Sequence, residues 1–201
     1  MTFPLVIRQN QAMFKFQRQT TLDLTTYPEP APSDRSGPPL SQGFLYSLMA
    51  MVSAEMLPEH SVEQLAEIHG PSWYHGQLLE TLLQQAEEAH PGSSYSLGRS
   101  AYFILTKQLQ AMGIATAQQM FAALPGIWLN VTRGDSGVFR TVSCTEDSAV
   151  VQMEQPYSCS FEEGAIVGFL DGLGCTSVSS KHLGCMKHGS PFCTAEFRWS
   201  K

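Results

Sequence analysis

The sequence predicts an α+β domain: an antiparallel sheet with N-terminal helices packed on it, one helix inserted before the last hairpin, and a cysteine-rich C-terminal site. Three observations carry this. Apolar residues recur at helical spacing from about residue 40 to 124, and after 126 the period shortens to two. Four of the five cysteines fall within the last 43 residues, so something local uses them.

A chain of 201 residues holds one ordinary domain and a short extension. With 43% hydrophobic and 15% charged residues it is globular, not disordered. The net charge of -6, with no basic run, offers no attraction to nucleic acid or anionic lipid. The opening MTFPLVIRQNQAMFKF breaks any signal-peptide core, and no stretch approaches the roughly 18 apolar residues of a membrane span. The expectation is a cytoplasmic protein with reduced thiols, and the odd cysteine count also argues against a disulfide framework.

Residues 3–24 read as one or two strands, an N-terminal arm over residues 1–27. Five prolines between residues 28 and 39 make 28–40 a linker, leaving 41–201 as the main domain. Phe44, Leu45, Leu48, Met49 and Val52 predict a first helix capped by Ser41. Ser61 and Gln64 have capping-box spacing for a second. Residues 75–89 and 95–112 predict two longer amphipathic helices, and 116–124 a short one closed by Pro125-Gly126. Strands are expected at 127–133, 138–143 and 149–155, a helix at 161–173, and final strands at 177–182 and 194–199.

The chemistry concentrates at Cys159, His182, Cys185 and Cys193. His182 and Cys185 stand three apart, and the turn through Gly189 and Pro191 can return Cys193 to the same point. Three thiolates and an imidazole in tetrahedral array suit a structural zinc ion, with Zn–S about 2.3 Å and no open coordination position. Buried core cysteines and a Cys185–Cys193 disulfide are the competing readings. His188 competes with His182 as the nitrogen ligand, and Cys175 with Cys159. Cys144 has no partner in view.

Gly168-Phe169-Leu170-Asp171-Gly172, then a strand, then Cys185-x3-Gly189-x3-Cys193 and an aromatic-ended final strand resemble the vinyl-4-reductase domain family. That domain also forms the sensory module of phenol- and xylene-responsive activators. There zinc is held by Cys, Glu, Cys, Cys at the spacing of Cys159, His182, Cys185 and Cys193, so His182 departs from the pattern and is preferred over His188 by position. The resemblance implies a commonly dimeric fold of the haem–nitric-oxide and Golgi-transport ligand-binding superfamily. Stand-alone members are associated with chlorophyll synthesis, as reductases or pigment carriers.

A ligand pocket is expected between sheet and helices, with Tyr102, Phe103, Leu109, Met112, Phe121, Trp128 and Phe139 as lining candidates, and Trp73 and His75 for polar contacts. Each is also an ordinary core residue. No GxSxG, GxGxxG, P-loop or HExxH motif is present. Glu87-Glu88 and Glu162-Glu163 read as solvated helix faces. The expected function is a non-enzymatic sensory or carrier domain for a hydrophobic aromatic or tetrapyrrole molecule, with homodimerisation and a protein partner as further expectations. A tetrapyrrole reductase and an assembly factor are the alternatives.

Overall fold

The computed structural model describes residues 15–53 and 55–201. Residues 3–14 of the expected N-terminal strands lie outside the described residues, and 15–24 carry no regular structure. The first strand is β1, Thr26–Tyr27. The segment before it is tied to the body by the Gln77 side chain, which accepts from the Gln17 amide at 2.9 Å and donates to its carbonyl at 2.6 Å.

β1 joins β2 (Leu40–Gln42), β3 (Trp73–His75) and β4 (Thr132–Arg133) in a small sheet of order β1-β3-β2-β4. The main sheet holds β5 (Val138–Cys144), β6 (Ser148–Glu154), β7 (Thr176–Gly184) and β8 (Cys193–Ser200) in order β5-β6-β8-β7, antiparallel throughout. The sequence predicts one sheet; the small one is built of two- and three-residue pieces, too short to leave a period-2 signature. Along β6 and β8 burial alternates strictly, so Ala149, Val151, Met153, Ala195, Phe197 and Trp199 turn inward.

Helices α1 (Gly43–Ser53), α2 (Glu59–Leu65), α3 (Gln77–Ala89) and α4 (Ser93–Ala111) follow the expected order. Ser41 caps nothing, because it pairs with Tyr74 and Thr132 in the small sheet. Ser61 lies inside α2, where its hydroxyl donates to Gln85 instead of forming a capping box.

Helix α5 (Ala117–Val131) starts on a genuine capping box between Thr116 and Gln119, then runs straight through Pro125. The expected strand at 127–133 is therefore mostly helix. Proline removes the amide that would bond the carbonyl four residues earlier, at Phe121. Thr141 of β5 restores that bond, its hydroxyl donating to the Phe121 carbonyl at 2.6 Å. A long-range partner thus rescues a helix that local sequence would end.

Helix α6 (Cys159–Gly172) packs along α4 almost backbone to backbone. A Cβ on Gly98 would stand 2.2 Å from the Phe161 carbonyl oxygen, on Gly164 2.1 Å from that of Tyr95, and on Gly168 2.2 Å from that of Arg99. The ion pair Arg99–Asp171, 2.6 Å, closes one edge of the contact. Gly164→Ala and Gly168→Ala are each expected to cost about 1–3 kcal/mol by forcing the helices apart. Urea unfolding checks this, with Gly126→Ala, inside α5 and with nothing within 4 Å of its Cβ, as the control, expected to stabilise by about 0.5–1 kcal/mol.

Candidate metal-ligand cluster and ligand cavities

The first residue of α6, Cys159, faces the β7–β8 hairpin. That hairpin turns through a 3-10 segment, Met186–His188, ended by Gly189 at φ 90. The His188 and Ser190 amides both donate to the Cys185 carbonyl at 3.0 Å, which folds the turn back on itself and returns Cys193 beside Cys185. The ligand atoms of Cys159, His182, Cys185 and Cys193 all lie within 4.8 Å of one another. Cys159 Sγ and Cys193 Sγ are 3.1 Å apart, and the Met186 amide donates to Cys193 Sγ at 3.4 Å. The hydrogen bond from Cys159, with help from Met186, pulls the Cys193 thiol down, while the same bond and burial push the Cys159 thiol up.

His182 Nδ1 is hydrogen-bonded to Glu163 Oε1. A carboxylate on one ring nitrogen fixes the imidazole's orientation and leaves the other nitrogen for a ligand role. His188 sits exposed in the turn, outside the cluster, as do half-buried Cys175 and exposed Cys144.

The expectation that Glu162 and Glu163 form a solvated face is corrected: they are 2% and 8% exposed. The signal was present in the sequence, since Gly164 to Leu170 contains no polar side chain and a helix apolar all round is buried. Glu162 points into a narrow cavity of about 20 Å³ among Tyr102, Trp128, Phe139 and Phe169, and its Oε1 has no hydrogen-bond partner. Burial, and then the charge of Glu80, raise its carboxyl to about 8.

A larger cavity of about 230 Å³ adjoins it, lined by Phe44, Tyr102, Leu109, Met112, Ile127 and Phe169 among others. Of the pocket candidates, Tyr102, Leu109, Met112, Trp128 and Phe139 therefore come together around these two spaces. Phe121 is buried beside them but stacks on Trp199 at 5.5 Å. Phe103 is 53% exposed and lines neither. Trp73 lies buried under the Arg133 guanidinium, 4.3 Å from its ring centre. His75 lines neither space and lies beside Tyr27 and Phe16.

No protein-family model matches the chain, and no curated protein does. Solved structures do. An H-NOX protein from S. oneidensis in the Fe(II)NO state aligns with TM-score 0.64 and 12% identity, over 80% of this chain and 99% of that one. An oxygen-binding H-NOX domain related to soluble guanylate cyclases aligns with TM-score 0.57 and 7% identity, over 79% and 92%. An Fe(II) unliganded H-NOX variant from K. algicida gives 0.57 and 9%, over 80% and 97%. The chain has the fold of these H-NOX domains, which agrees with the fold that the resemblance implied. Among the described residues no helix is long and apolar enough to cross a membrane.

These neighbours also overturn zinc as the expected cofactor. They are haem-NO/oxygen-binding domains, and a further neighbour was solved to address haem redox potential through porphyrin distortion. The group that goes with this fold in its solved relatives is iron porphyrin.

Glu162 gives a pH signature. Its carboxyl is raised in the fold, so the native state keeps a proton that the unfolded chain releases above about 4.5. The sign follows: stability is highest below about 4.5, falls as pH rises, and levels off above about 8. Glu162→Gln is expected to flatten that slope and to gain on the order of a few kcal/mol over wild type near pH 8, read by urea titrations across the range.

Proposed function

We propose that this chain is a non-enzymatic small-molecule-binding domain of the sensory kind, whose ligand is a hydrophobic aromatic molecule carrying a hydroxyl. The observation behind it is Glu162: a buried carboxyl oxygen without a partner, walled by aromatic rings. Burying such an atom costs free energy that a ligand's hydroxyl would recover. The cavity it lines, about 20 Å³, and the adjoining one of about 230 Å³ that shares Tyr102 and Phe169 with it suit one aromatic ring better than a tetrapyrrole.

Haem, the group of the solved neighbours, fits poorly here. Haem iron takes His, Cys, Met or Tyr, and the described lining of the two cavities offers only Tyr102 and Met112. Burial pushes the Tyr102 phenol well above its usual value, against the tyrosinate iron needs. Met112 is 63% exposed at the end of α4. No step is therefore derived through haem.

The cluster of Cys159, His182, Cys185 and Cys193 we read separately, as ligand atoms for a soft metal ion. The division into arm 1–27, linker 28–40 and domain 41–201, membership of the vinyl-4-reductase family, and a homodimer using exposed Phe103 and Ile104 belong to the same proposal.

Thermal unfolding with added phenol, toluene or haemin tests it. Phenol should raise the midpoint more than toluene, and Glu162→Met should bring phenol down to the toluene level. Equal shifts in wild type, or a stoichiometric Soret shift with haemin, would sink the reading. Size-exclusion chromatography with light scattering should report a dimer that Phe103→Glu converts to monomer.

A further inference from the structure

A further cavity, of about 550 Å³, lies at the α6 N-terminus, between α3, the end of β6 and the β7–β8 turn. Glu80, Gln84, Gln155, Phe16, Pro156 and Met186 line it, with Cys159 and Cys193 as the far wall and Lys15 and Lys187 at the rim. It is not the metal-ligand cluster under another name. Glu80 offers a carboxylate but does not belong to the group of ligand atoms gathered there.

Three of its polar atoms have no hydrogen-bond partner: Glu80 Oε1, Gln84 Oε1 and Gln155 Nε2. Glu80 is 7% exposed and Gln155 3%. The other end of the Gln155 amide is occupied, since the Tyr157 backbone amide donates to its Oε1. That fixes which way the amide points and leaves its NH₂ facing the space. A folded chain leaves few such atoms unsatisfied, and three on one cavity mark a site made for a guest.

The chemistry of the guest follows from where the charges sit. Glu80 and Gln84 stand four apart on α3, so their side chains are neighbours. The Glu80 carboxylate calls for a cationic donor, and the Gln84 amide, which no hydrogen bond anchors, is able to turn its oxygen to the same donor. The Gln155 NH₂ and the Lys15 and Lys187 ammonium groups call for an anion. Phe16, Pro156 and Met186 supply an apolar wall between them. Acceptors for a cation, donors for an anion and an apolar wall within one small cavity describe a zwitterion. We infer that this cavity binds a free α-amino acid with an apolar side chain, its ammonium on Glu80 and Gln84 and its carboxylate on Gln155 and Lys187.

This cavity is a different space from the one beside Glu162, and the two readings can fail separately. Isothermal titration of the full chain with L-leucine, L-methionine and L-phenylalanine tests it. At least one should bind with Kd below about 1 mM, and Glu80→Gln and the surface variant Lys187→Gln should each weaken it about ten-fold or more. At pH 6, where Glu162 keeps its proton, Glu162→Met should leave it unchanged. Amine-free 4-methylpentanoate should bind at least ten-fold worse than L-leucine. No binding by any of the three would overturn the inference. So would binding indifferent to Glu80→Gln, or equal binding of 4-methylpentanoate, which would reduce the site to lysines holding an anion.

Discussion

Because a Cβ on Gly98, Gly164 or Gly168 would strike main-chain oxygen of the facing helix, α4 and α6 touch along their backbones with no side-chain layer between them. Close packing of this kind deforms little. It sets the azimuth of α6 as well as its distance, and everything chemical in the molecule is aimed by that azimuth. Cys159 meets the C-terminal hairpin, Glu162 enters the helix–sheet space, and Glu163 takes hold of His182. A helix standing one side chain further out would present none of these correctly.

Polar groups are spent unevenly in this interior. Some buried groups have their partners supplied: Trp128 Nε1 donates to the Gly137 carbonyl at 3.2 Å, and Thr141 restores the carbonyl that Pro125 orphans. Beside the cavities partners are withheld, at Glu162 on one and at Glu80, Gln84 and Gln155 on another. An unsatisfied buried carboxyl is expensive in a low-dielectric interior, and burial raises both Glu80 and Glu162 in response. Trp73 Nε1 and Arg133 Nε are buried without a hydrogen-bond partner too, so what sets Glu80 and Glu162 apart is that each lines a cavity.

Much of the layer order was legible because periodicity reports burial: β6, β8, α3 and α6 each fell within a few residues of expectation. The Cys/His cluster was legible too, since spacing and a glycine turn carry it locally. Other features depended on contacts that sequence does not announce. Pro125 looked like a helix end until Thr141, sixteen residues on and in a strand, supplied the missing donor. Phe103 looked like pocket lining, but it occupies the outward face of α4. Glu162 was misread because a charged pair was weighed alone, without the seven apolar or glycine residues that follow it. The identity of a cofactor was beyond reach of the ligand set: thiolates state a preference for soft metals, whereas the fold's solved relatives carry iron in a porphyrin.

Within one turn of α6, residues 159, 162 and 163 therefore contact three different features: the outer cavity, the inner cavity and the imidazole of the cluster. A rigid turn shared in this way couples what it touches, since a shift that improves one contact alters the others. Electrostatics adds a second link that needs no movement. The charge of Glu80 is one of the causes that raise Glu162, so a cation placed against Glu80 relieves that repulsion and eases ionisation of Glu162. The influence is reciprocal by linkage: a guest that favours one protonation state of Glu162 must change the affinity for a cation at Glu80. Two cavities that look separate on the surface of the fold are thus joined through a pair of carboxyl groups and the first turn of one helix.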